Sequence, residues 1–164
     1  MLDSGDSSNH TDLAERISAF KKLCRQKNLK VTPQRVAVFK VLVESNEHPS
    51  AEMVSRQVRK TFPNISLDTV NRTLLMLNEI GAATVVEGSG SPKRFDGNLQ
   101  THHHFVCVEC KKIIDFSHES LNGMKMPITD SEMGYTEKID RYRVLVLKKT
   151  VHLQGICEEC LKKR

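Results

Sequence analysis

The stretch that decides how this chain folds is His102-His103-His104-Phe105-Val106-Cys107-Val108-Glu109-Cys110. Three consecutive histidines are followed closely by a Cys-x-x-Cys pair, so two kinds of metal ligand lie within nine residues. A second pair, Cys157-Glu158-Glu159-Cys160, lies almost at the C-terminus of the 164-residue chain.

The two cysteine pairs predict a closed zinc site. Each pair can hold one ion through thiolates presented by a tight turn, and two pairs complete a tetrahedral shell of four sulfurs, which suits zinc. The four residues are Cys107, Cys110, Cys157 and Cys160. A closed shell leaves no open position, so the site is expected to be structural and to tie the C-terminus to a distant strand. The alternative, a redox Cys-x-x-Cys, is disfavoured by the presence of two pairs without a thioredoxin-like pattern.

The histidine triplet indicates a different kind of site. On a strand, His102 and His104 share one face and His103 points to the other. Two imidazoles on one face can chelate one ion, and Asp96 and Asp115 are carboxylates nearby in the sequence. A site of histidine and carboxylate suits Fe(II), Mn(II) or Zn(II). The alternative is that the triplet is a polar patch, and the pattern alone leaves both interpretations open.

Helices followed by a hairpin are predicted before this stretch. Thr32, Ser50 and Ser66 are typical helix N-cap residues, Pro33 suits the first position of a helix, and Gly81 suits a C-cap. Helices are expected over about 13–28, 33–45, 51–61 and 67–79, and strands over 83–87 and 93–95. This order predicts a winged helix-turn-helix whose fourth helix enters the major groove. The alternative is a helical core domain with a hairpin that takes no part in binding.

Positive charge is concentrated in the N-terminal half. The whole chain has 25 Lys+Arg and 20 Asp+Glu, a net charge of +5, whereas residues 13–72 have 12 Lys+Arg and 5 Asp+Glu, a net charge of +7. A basic region suits nucleic acid, although many solvated helix faces have the same composition. We expect Thr69, Asn71 and Arg72 to face bases or phosphates. The further DNA-binding candidates are Lys30, Arg35 and Ser66.

The segment 98–101 is predicted to be a hinge between two domains. We expect a disordered lead-in over 1–12, a winged-helix DNA-binding domain over 13–97 and a dimerisation and metal-binding domain over 102–164. Strands are expected over about 104–107, 112–115, 136–140 and 142–153, with a short helix over 119–126. Because a small α+β domain has a limited core, we expect a metal or a second subunit to stabilise it.

The composition is that of an ordinary soluble protein, which we expect to be cytoplasmic. No apolar run approaches the roughly 20 residues of a membrane helix, and no secretory signal pattern opens the chain. The five cysteines are therefore expected to be thiols or metal ligands rather than disulfides. Cys24 is interpreted as a packing or surface thiol. His10, His118 and His152, which have no spacing partner, are interpreted as residues outside the metal sites. His48, before Pro49, is by itself typical of a loop residue.

Several motifs follow one another over about residues 13–164. They are Leu29-Lys30-Val31-Thr32-Pro33-Gln34-Arg35, His48-Pro49-Ser50-Ala51, Ser66-Leu67-Asp68-Thr69-Val70-Asn71-Arg72-Thr73-Leu74, Arg94-Phe95-Asp96, the stretch 102–110 and Gly155-Ile156-Cys157-Glu158-Glu159-Cys160. In this order they resemble the motifs of the ferric uptake regulator family of metal-dependent repressors. The resemblance implies an α+β fold, with an N-terminal winged helix and a C-terminal α+β dimerisation domain. It also implies a homodimer that binds palindromic operator sites in double-stranded DNA, with no enzymatic activity.

The resemblance implies two metal sites. Structural zinc falls on the four cysteines named above, and the regulatory metal, Fe(II) or Mn(II), falls on residues from both domains. These are His48, Asp96, His102, His104 and Asp115. Binding of the regulatory metal would restrain the hinge and bring the two winged helices of a dimer to the spacing of a palindromic operator.

Asp115 indicates the branch of the family. Peroxide-responsive repressors typically have Asp at this position, on the strand after the first cysteine pair, where iron sensors have Glu. In that branch Fe(II) bound by three His and two Asp leaves one position open for hydrogen peroxide, and oxidation of a ligand histidine destroys the site. By resemblance the oxidised residues would be His48 and His102. Mn(II) would support repression but would respond poorly to peroxide.

Three features depart from the family pattern. Asn71 stands where the recognition helix usually has Tyr, and the segment 134–155 is longer than usual. Lys149 stands where many relatives have a histidine that serves a further metal site. The functional alternatives are a repressor that senses iron or zinc availability, a metal-dependent hydrolase, and a structural zinc protein that binds RNA or another protein. A hydrolase is disfavoured because no general base or nucleophile stands beside the site at a recognisable spacing.

Overall fold

The computed structural model describes residues 6–86, 90, 92–122, 136–139, 142–145 and 150–164. The chain divides into two compact units, Met1–Leu99 and Gln100–Arg164. Among the described residues, no helix combines the length and the apolar composition needed to cross a membrane.

The first unit is a winged helix, as predicted. Its elements are α1 Asp6–Gln26, α2 Pro33–Val43, α3 Ala51–Val58, α4 Leu67–Glu79, β1 Thr84–Val85 and β2 Phe95–Asp96. Three predicted N-caps are confirmed: the hydroxyls of Thr32, Ser50 and Ser66 accept hydrogen bonds from backbone N–H groups at the starts of α2, α3 and α4. Gly81, in a left-handed conformation (φ +76°), follows the C-cap of α4.

The helix α1 begins earlier than expected. The lead-in over 1–12 was predicted to be disordered, but Asp6 to Asp12 belong to α1, and residues 1–5 lie outside the described residues. The reason lies further along the helix, where Phe20 and Cys24 are buried and Phe20 stacks on Phe39 at 4.4 Å. A helix anchored by such packing can continue into polar residues, because adding a residue to an existing helix is much easier than starting one.

The core of the first unit is built from the inward faces of its helices. The fully buried side chains include Val38, Leu42, Val54, Val70, Leu74 and Leu77. The hairpin adds Phe95 to this core, since β1 and β2 are antiparallel with Val85 opposite Phe95. The turn predicted between the strands lies largely outside the described residues, because 87–89 and 91 are not described.

The second unit is α+β, as predicted. Its elements are β3 His103–Cys107, β4 Ile113–Phe116, α5 Glu119–Asn122, β5 Thr136–Ile139, β6 Tyr142–Leu145, β7 His152–Gly155 and α6 Glu158–Leu161. A three-stranded sheet has the order β4-β3-β7, with β4 antiparallel and β7 parallel to the central β3. β5 and β6 form a separate antiparallel pair.

The strand predicted over 142–153 is two strands in the structure. β6 pairs with β5, whereas β7 pairs with β3, and Thr150 and Val151 belong to neither strand. A run of strand-forming residues does not reveal where the chain changes partners, because pairing is decided by distant segments. The predicted helix over 119–126 is described only as far as Asn122.

Candidate metal sites

Four cysteine thiols meet at one end of the second unit. Cys107 ends β3, Cys110 lies in the turn before β4, Cys157 is the N-cap of α6 and Cys160 lies within α6. The Sγ atoms of Cys107 and Cys160 are 3.9 Å apart, those of Cys110 and Cys157 are 3.7 Å apart, and all four lie within 4.8 Å of one another. Zn–S bonds of about 2.3 Å in a tetrahedron place sulfurs roughly 3.8 Å apart. The four thiols therefore have the spacing of a structural zinc site.

The backbone around these thiols favours a thiolate at Cys107. The N–H of Cys157 donates to the Cys107 Sγ at 3.4 Å. This bond, with further backbone donors at Cys110 and Glu109, lowers the pKa of Cys107 to about 6, whereas burial raises the pKa of Cys160 to about 12. The backbone donors therefore favour the thiolate form of Cys107, which is the form of cysteine that binds zinc.

Two ion pairs join the same two segments as the cysteines. Lys112 Nζ lies 2.7 Å from Glu159 Oε1, and Arg164 places Nη2 and Nε 2.6 and 3.1 Å from Glu109 Oε1. The hydrogen bond between Lys112 and Glu159 raises the pKa of the ammonium and lowers that of the carboxyl. We call these four residues the C-terminal clasp, because they attach α6 and the C-terminus to the turn between β3 and β4 without a metal.

A second group of ligands lies on one face of the three-stranded sheet. His102 precedes β3, His104 lies within it, and Asp115 on β4 is the cross-strand partner of His104. The Nε2 atoms of His102 and His104 are 3.0 Å apart, and Asp115 Oδ1 lies 3.9 and 3.4 Å from them, respectively. Metal–nitrogen bonds of about 2.1 Å place neighbouring ligand atoms roughly 3.0–3.4 Å apart. These three residues can therefore share one ion.

The tautomer of His102 suits metal binding. Its Nδ1 lies 2.7 Å from the carbonyl oxygen of Gln100, which can only accept a hydrogen bond. Nδ1 therefore carries the proton, and the lone pair of Nε2 points to His104 and Asp115. An imidazole oriented in this way by a backbone carbonyl is a common metal ligand.

The first unit places its own two candidate ligands, His48 and Asp96, close together. Both side chains are buried, and a ring nitrogen of His48 lies within 4.8 Å of a carboxylate oxygen of Asp96. Asp96 Oδ1 accepts the N–H of Asn98 at 2.7 Å. Next to it, the carbonyl of Gly97 accepts from Arg16 of α1, and Gly97 lies so close to α2 that an added Cβ would be 3.0 Å from the Cα of Val43.

Arg94 connects the loop of His48 to the strand of Asp96. Its Nη2 donates to the carbonyl of Glu47 at 2.7 Å, and its Nε donates to the carbonyl of His48. The N–H of Phe95 donates to the carbonyl of Pro49 at 3.1 Å. His48 has a φ of +50°, which is unusual for a residue other than glycine. These hydrogen bonds hold the loop in that conformation.

The predicted DNA-binding residues lie on or near α4 and the start of α2. The hydroxyls of Ser66 and Thr69 are 2.9 Å apart and belong to the N-cap of α4. Arg72 is exposed and pairs with Asp68 one turn earlier, at 2.9 Å. Asn71 is half-buried on the same helix. Before α2, Arg35 Nη1 donates to the carbonyl of the exposed Lys30 at 2.6 Å.

Sequence reasoning assigned no role at these sites to three residues: Asp68, Arg94 and His152. The pairing of Asp68 with Arg72 could have been predicted, because residues four apart in the sequence lie on the same face of a helix. Arg94 was noticed only as part of a motif. The ring of His152 packs against that of His104, with centroids 5.6 Å apart. Spacing does not indicate this contact, because it depends on parallel pairing of distant strands.

Comparisons with known proteins agree with this architecture. The model of the ferric uptake regulator family matches residues 26–144. The peroxide-responsive repressor PerR of Staphylococcus aureus is 31% identical over 142 residues, which are 85% of this chain and 87% of that protein. The Helicobacter pylori ferric uptake regulator Fur superposes with a TM-score of 0.68 at 22% identity, over 91% of this chain and 93% of that one. The Vibrio cholerae ferric uptake regulator superposes with a TM-score of 0.58 at 23% identity, over 83% of this chain and 98% of that one.

The two solved structures show that the fold is shared. The family model covers most of the chain, and the relative from Staphylococcus aureus is similar over nearly its whole length. The chain therefore belongs to the ferric uptake regulator family of transcriptional regulators.

Proposed function

We propose that this protein is a dimeric, metal-dependent repressor that binds palindromic operator DNA and responds to hydrogen peroxide through Fe(II). The observation that carries the proposal is the convergence of His102, His104 and Asp115 on one face of the sheet, with ligand atoms 3.0–3.9 Å apart. Imidazole and carboxylate ligands suit Fe(II) and Mn(II), whereas the closed set of thiols suits zinc.

The proposed regulatory site has five ligands. They are His48, Asp96, His102, His104 and Asp115. If these five residues held a six-coordinate ion, one position would remain for a small oxidant such as peroxide. Support comes from the first unit, where His48 and Asp96 are held together, and from the second, where the other three converge.

The proposed ligands come from both sides of the segment 98–101, and this arrangement links metal binding to DNA binding. An ion that binds ligands on both sides restrains the winged helix. The protein then loses less conformational entropy when it binds DNA. A palindromic operator needs two recognition helices at a defined spacing, which a dimer supplies. In each copy the proposed recognition helix is α4, with Arg72 on its exposed face.

The proposed response to peroxide is a change in the ligands themselves. His48 and His102 would help to hold the ion, and a bound Fe(II) would supply the redox chemistry that activates hydrogen peroxide. In the net reaction, one peroxide oxygen would be inserted into a C–H bond of the His48 or His102 imidazole, and the other would leave as water. An oxidised imidazole is a poorer ligand, so the metal is released and the operator is vacated. Mn(II) is much harder to oxidise, so the Mn(II) form is expected to repress without responding.

An electrophoretic mobility shift assay tests this function directly. Zinc-loaded protein is bound to a palindromic operator with Fe(II) or with Mn(II), and each complex is then exposed to micromolar peroxide. We expect DNA binding to be lost with Fe(II) only, together with a mass increase of one oxygen on peptides that contain His48 or His102. Binding that survives peroxide in the Fe(II) form would instead identify a repressor that senses metal availability.

A further inference from the structure

The strand β7 brings a fourth histidine to the metal-binding face of the sheet. We infer that His152 is a positioning residue for the ligand His104, and that His103 holds β7 in the register this requires. The inference rests on the proposed function in one respect, namely that His102, His104 and Asp115 bind the regulatory metal.

The position of His152 follows from strand pairing. His104 on the central strand β3 is the partner of Asp115 on β4 and also of His152 on β7. Residues paired across strands point to the same face of a sheet, so Asp115, His104 and His152 form a row across three strands. The rings of His104 and His152 are stacked, with centroids 5.6 Å apart and planes inclined by 27°. His152 therefore lies directly beside a proposed metal ligand.

Two hydrogen bonds hold this part of the chain against β3. The N–H of His104 donates to the carbonyl of Val151 at 3.1 Å. The N–H of Val151 donates to Nδ1 of His103 at 3.2 Å. Because His103 Nδ1 accepts this bond, the proton of its ring is on Nε2. The His103 side chain is only 1% exposed, so this acceptor is shielded from competing water.

The register matters because side chains alternate between the faces of a strand. A slip of β7 by one residue would place Val151 or Leu153 beside His104 and turn His152 to the other face. His103, which is the histidine of the triplet outside the proposed ligand set, binds the backbone of Val151, the residue before His152. The middle histidine therefore has a task of its own: it anchors β7.

The stacked ring of His152 restricts the rotation of the His104 imidazole. In its present orientation His104 Nε2 lies 3.0 Å from His102 Nε2 and 3.4 Å from Asp115 Oδ1. Rotation of the ring about its χ2 angle would move Nε2 away from both, and we expect the stacked ring of His152 to oppose this rotation. A ligand that is already oriented loses less freedom when the metal binds, so His152 raises metal affinity. This effect needs a flat ring beside His104 and does not need a ring nitrogen.

A Co(II) titration separates this role from others. Full-length protein whose cysteine site is loaded with zinc is titrated with Co(II), and the visible absorption bands give both the affinity and the coordination geometry of the second site. The variants are His152→Ala, His152→Phe, His104→Ala and His118→Ala; the last removes an exposed histidine that lies between β4 and α5. Zinc content and thermal unfolding of each variant are measured in parallel.

We expect His152→Ala to weaken Co(II) binding roughly three- to tenfold and to change the absorption bands. This fold-change in affinity corresponds to the usual interaction free energy of an aromatic pair. His152→Phe keeps the stacked ring and is expected to bind Co(II) like the original protein, as is His118→Ala. If His152→Ala fails to fold, His152→Leu replaces it, because it keeps apolar bulk without a flat ring and is expected to weaken binding.

Two results would overturn the inference. One is Co(II) binding by His152→Ala, or by its leucine replacement, with unchanged affinity and bands. The other is a His152→Phe variant as weak as the variant without a ring, since that would assign the effect to a nitrogen atom. Failure of the proposed function has a different signature: the original protein would bind no second metal, or His104→Ala would bind Co(II) as tightly as the original.

Discussion

Arg94 supports a proposed metal ligand without being a ligand itself. His48 has a left-handed backbone, which costs a residue with a side chain about 1–2 kcal/mol. The guanidinium of Arg94 compensates by donating to two successive carbonyls, those of Glu47 and His48. Hydrogen bonds from a charged group are among the stronger ones in proteins. The same arginine precedes Phe95 and Asp96, so one side chain links the loop of one proposed ligand to the strand of another.

We predict that Arg94→Ala lowers the affinity of the regulatory site about tenfold while the zinc content stays unchanged, because the loop of His48 is released. Isothermal titration with Mn(II) measures this affinity. Arg59→Ala is the matched control, since Arg59 also donates to a backbone carbonyl, that of Ile65 at 3.2 Å, but does not contact the loop of His48. Equal Mn(II) affinities in the two variants would refute the role assigned to Arg94.

At the scale of elements, α6 is attached to the turn between β3 and β4 in two ways. The thiols supply a metal-dependent attachment, and the C-terminal clasp supplies one that needs no metal. Exposed ion pairs contribute little to global stability. They can nevertheless keep α6 near the turn between β3 and β4 when one Zn–S bond breaks. The effective concentration of the dissociated cysteine near the zinc ion is then higher.

We predict that Glu159→Gln combined with Glu109→Gln accelerates zinc transfer to a chelator several-fold. The neutral side chains no longer hold Lys112 and Arg164, so a dissociated cysteine returns more slowly. A colorimetric zinc chelator measures the rate. Glu158→Gln is the control, because in the described part of the chain Glu158 pairs with Lys162 of its own segment, at 2.5 Å. High salt should remove the difference between the double variant and the original protein, and a difference that persists in high salt would count against the clasp.

For the whole molecule, the two metals have different tasks. In the described part of the second unit, one buried cluster consists of Cys107, Cys157 and Cys160, with Phe105 and Ile156 packed against it. We expect a small unit in which metal ligands form such a buried cluster to depend on the metal for its folding. Three of the proposed regulatory ligands, His102, His104 and Asp115, lie instead on a face of the three-stranded sheet.

We predict that Cys107→Ser unfolds the second unit and abolishes the proposed dimer, whereas His104→Ala leaves a folded protein with unchanged association that no longer responds to Mn(II) or Fe(II). Loss of the Cys107 thiolate removes folding free energy that depends on bound zinc. Loss of the His104 imidazole is expected to affect only the proposed regulatory site. Circular dichroism and sedimentation velocity measure folding and association, and the mobility shift assay measures the response. A His104→Ala protein that unfolds would show that His104 has been wrongly assigned to the regulatory site rather than to a structural one.

Much of the fold was predictable from the sequence because its signals are local. Thr32, Ser50 and Ser66 cap the helices that they were expected to cap, and the two cysteine pairs gather into one cluster. A cap depends on residues three positions away, and a Cys-x-x-Cys turn is closed by its own backbone. The start of α1 was predicted less well, since helix ends depend on the stability of the rest of the helix.

The tertiary structure decided how distant segments meet. The parallel pairing of β3 with β7 divides the predicted strand over 142–153 and places His152 beside His104. Arg94 reaches across to the carbonyls of Glu47 and His48. Such contacts are selected by the free energy of the whole chain rather than by local preference, because many distant partners satisfy the same short pattern. The sequence by itself therefore determined which residues could bind metals, and the tertiary structure determined which residues hold them in position.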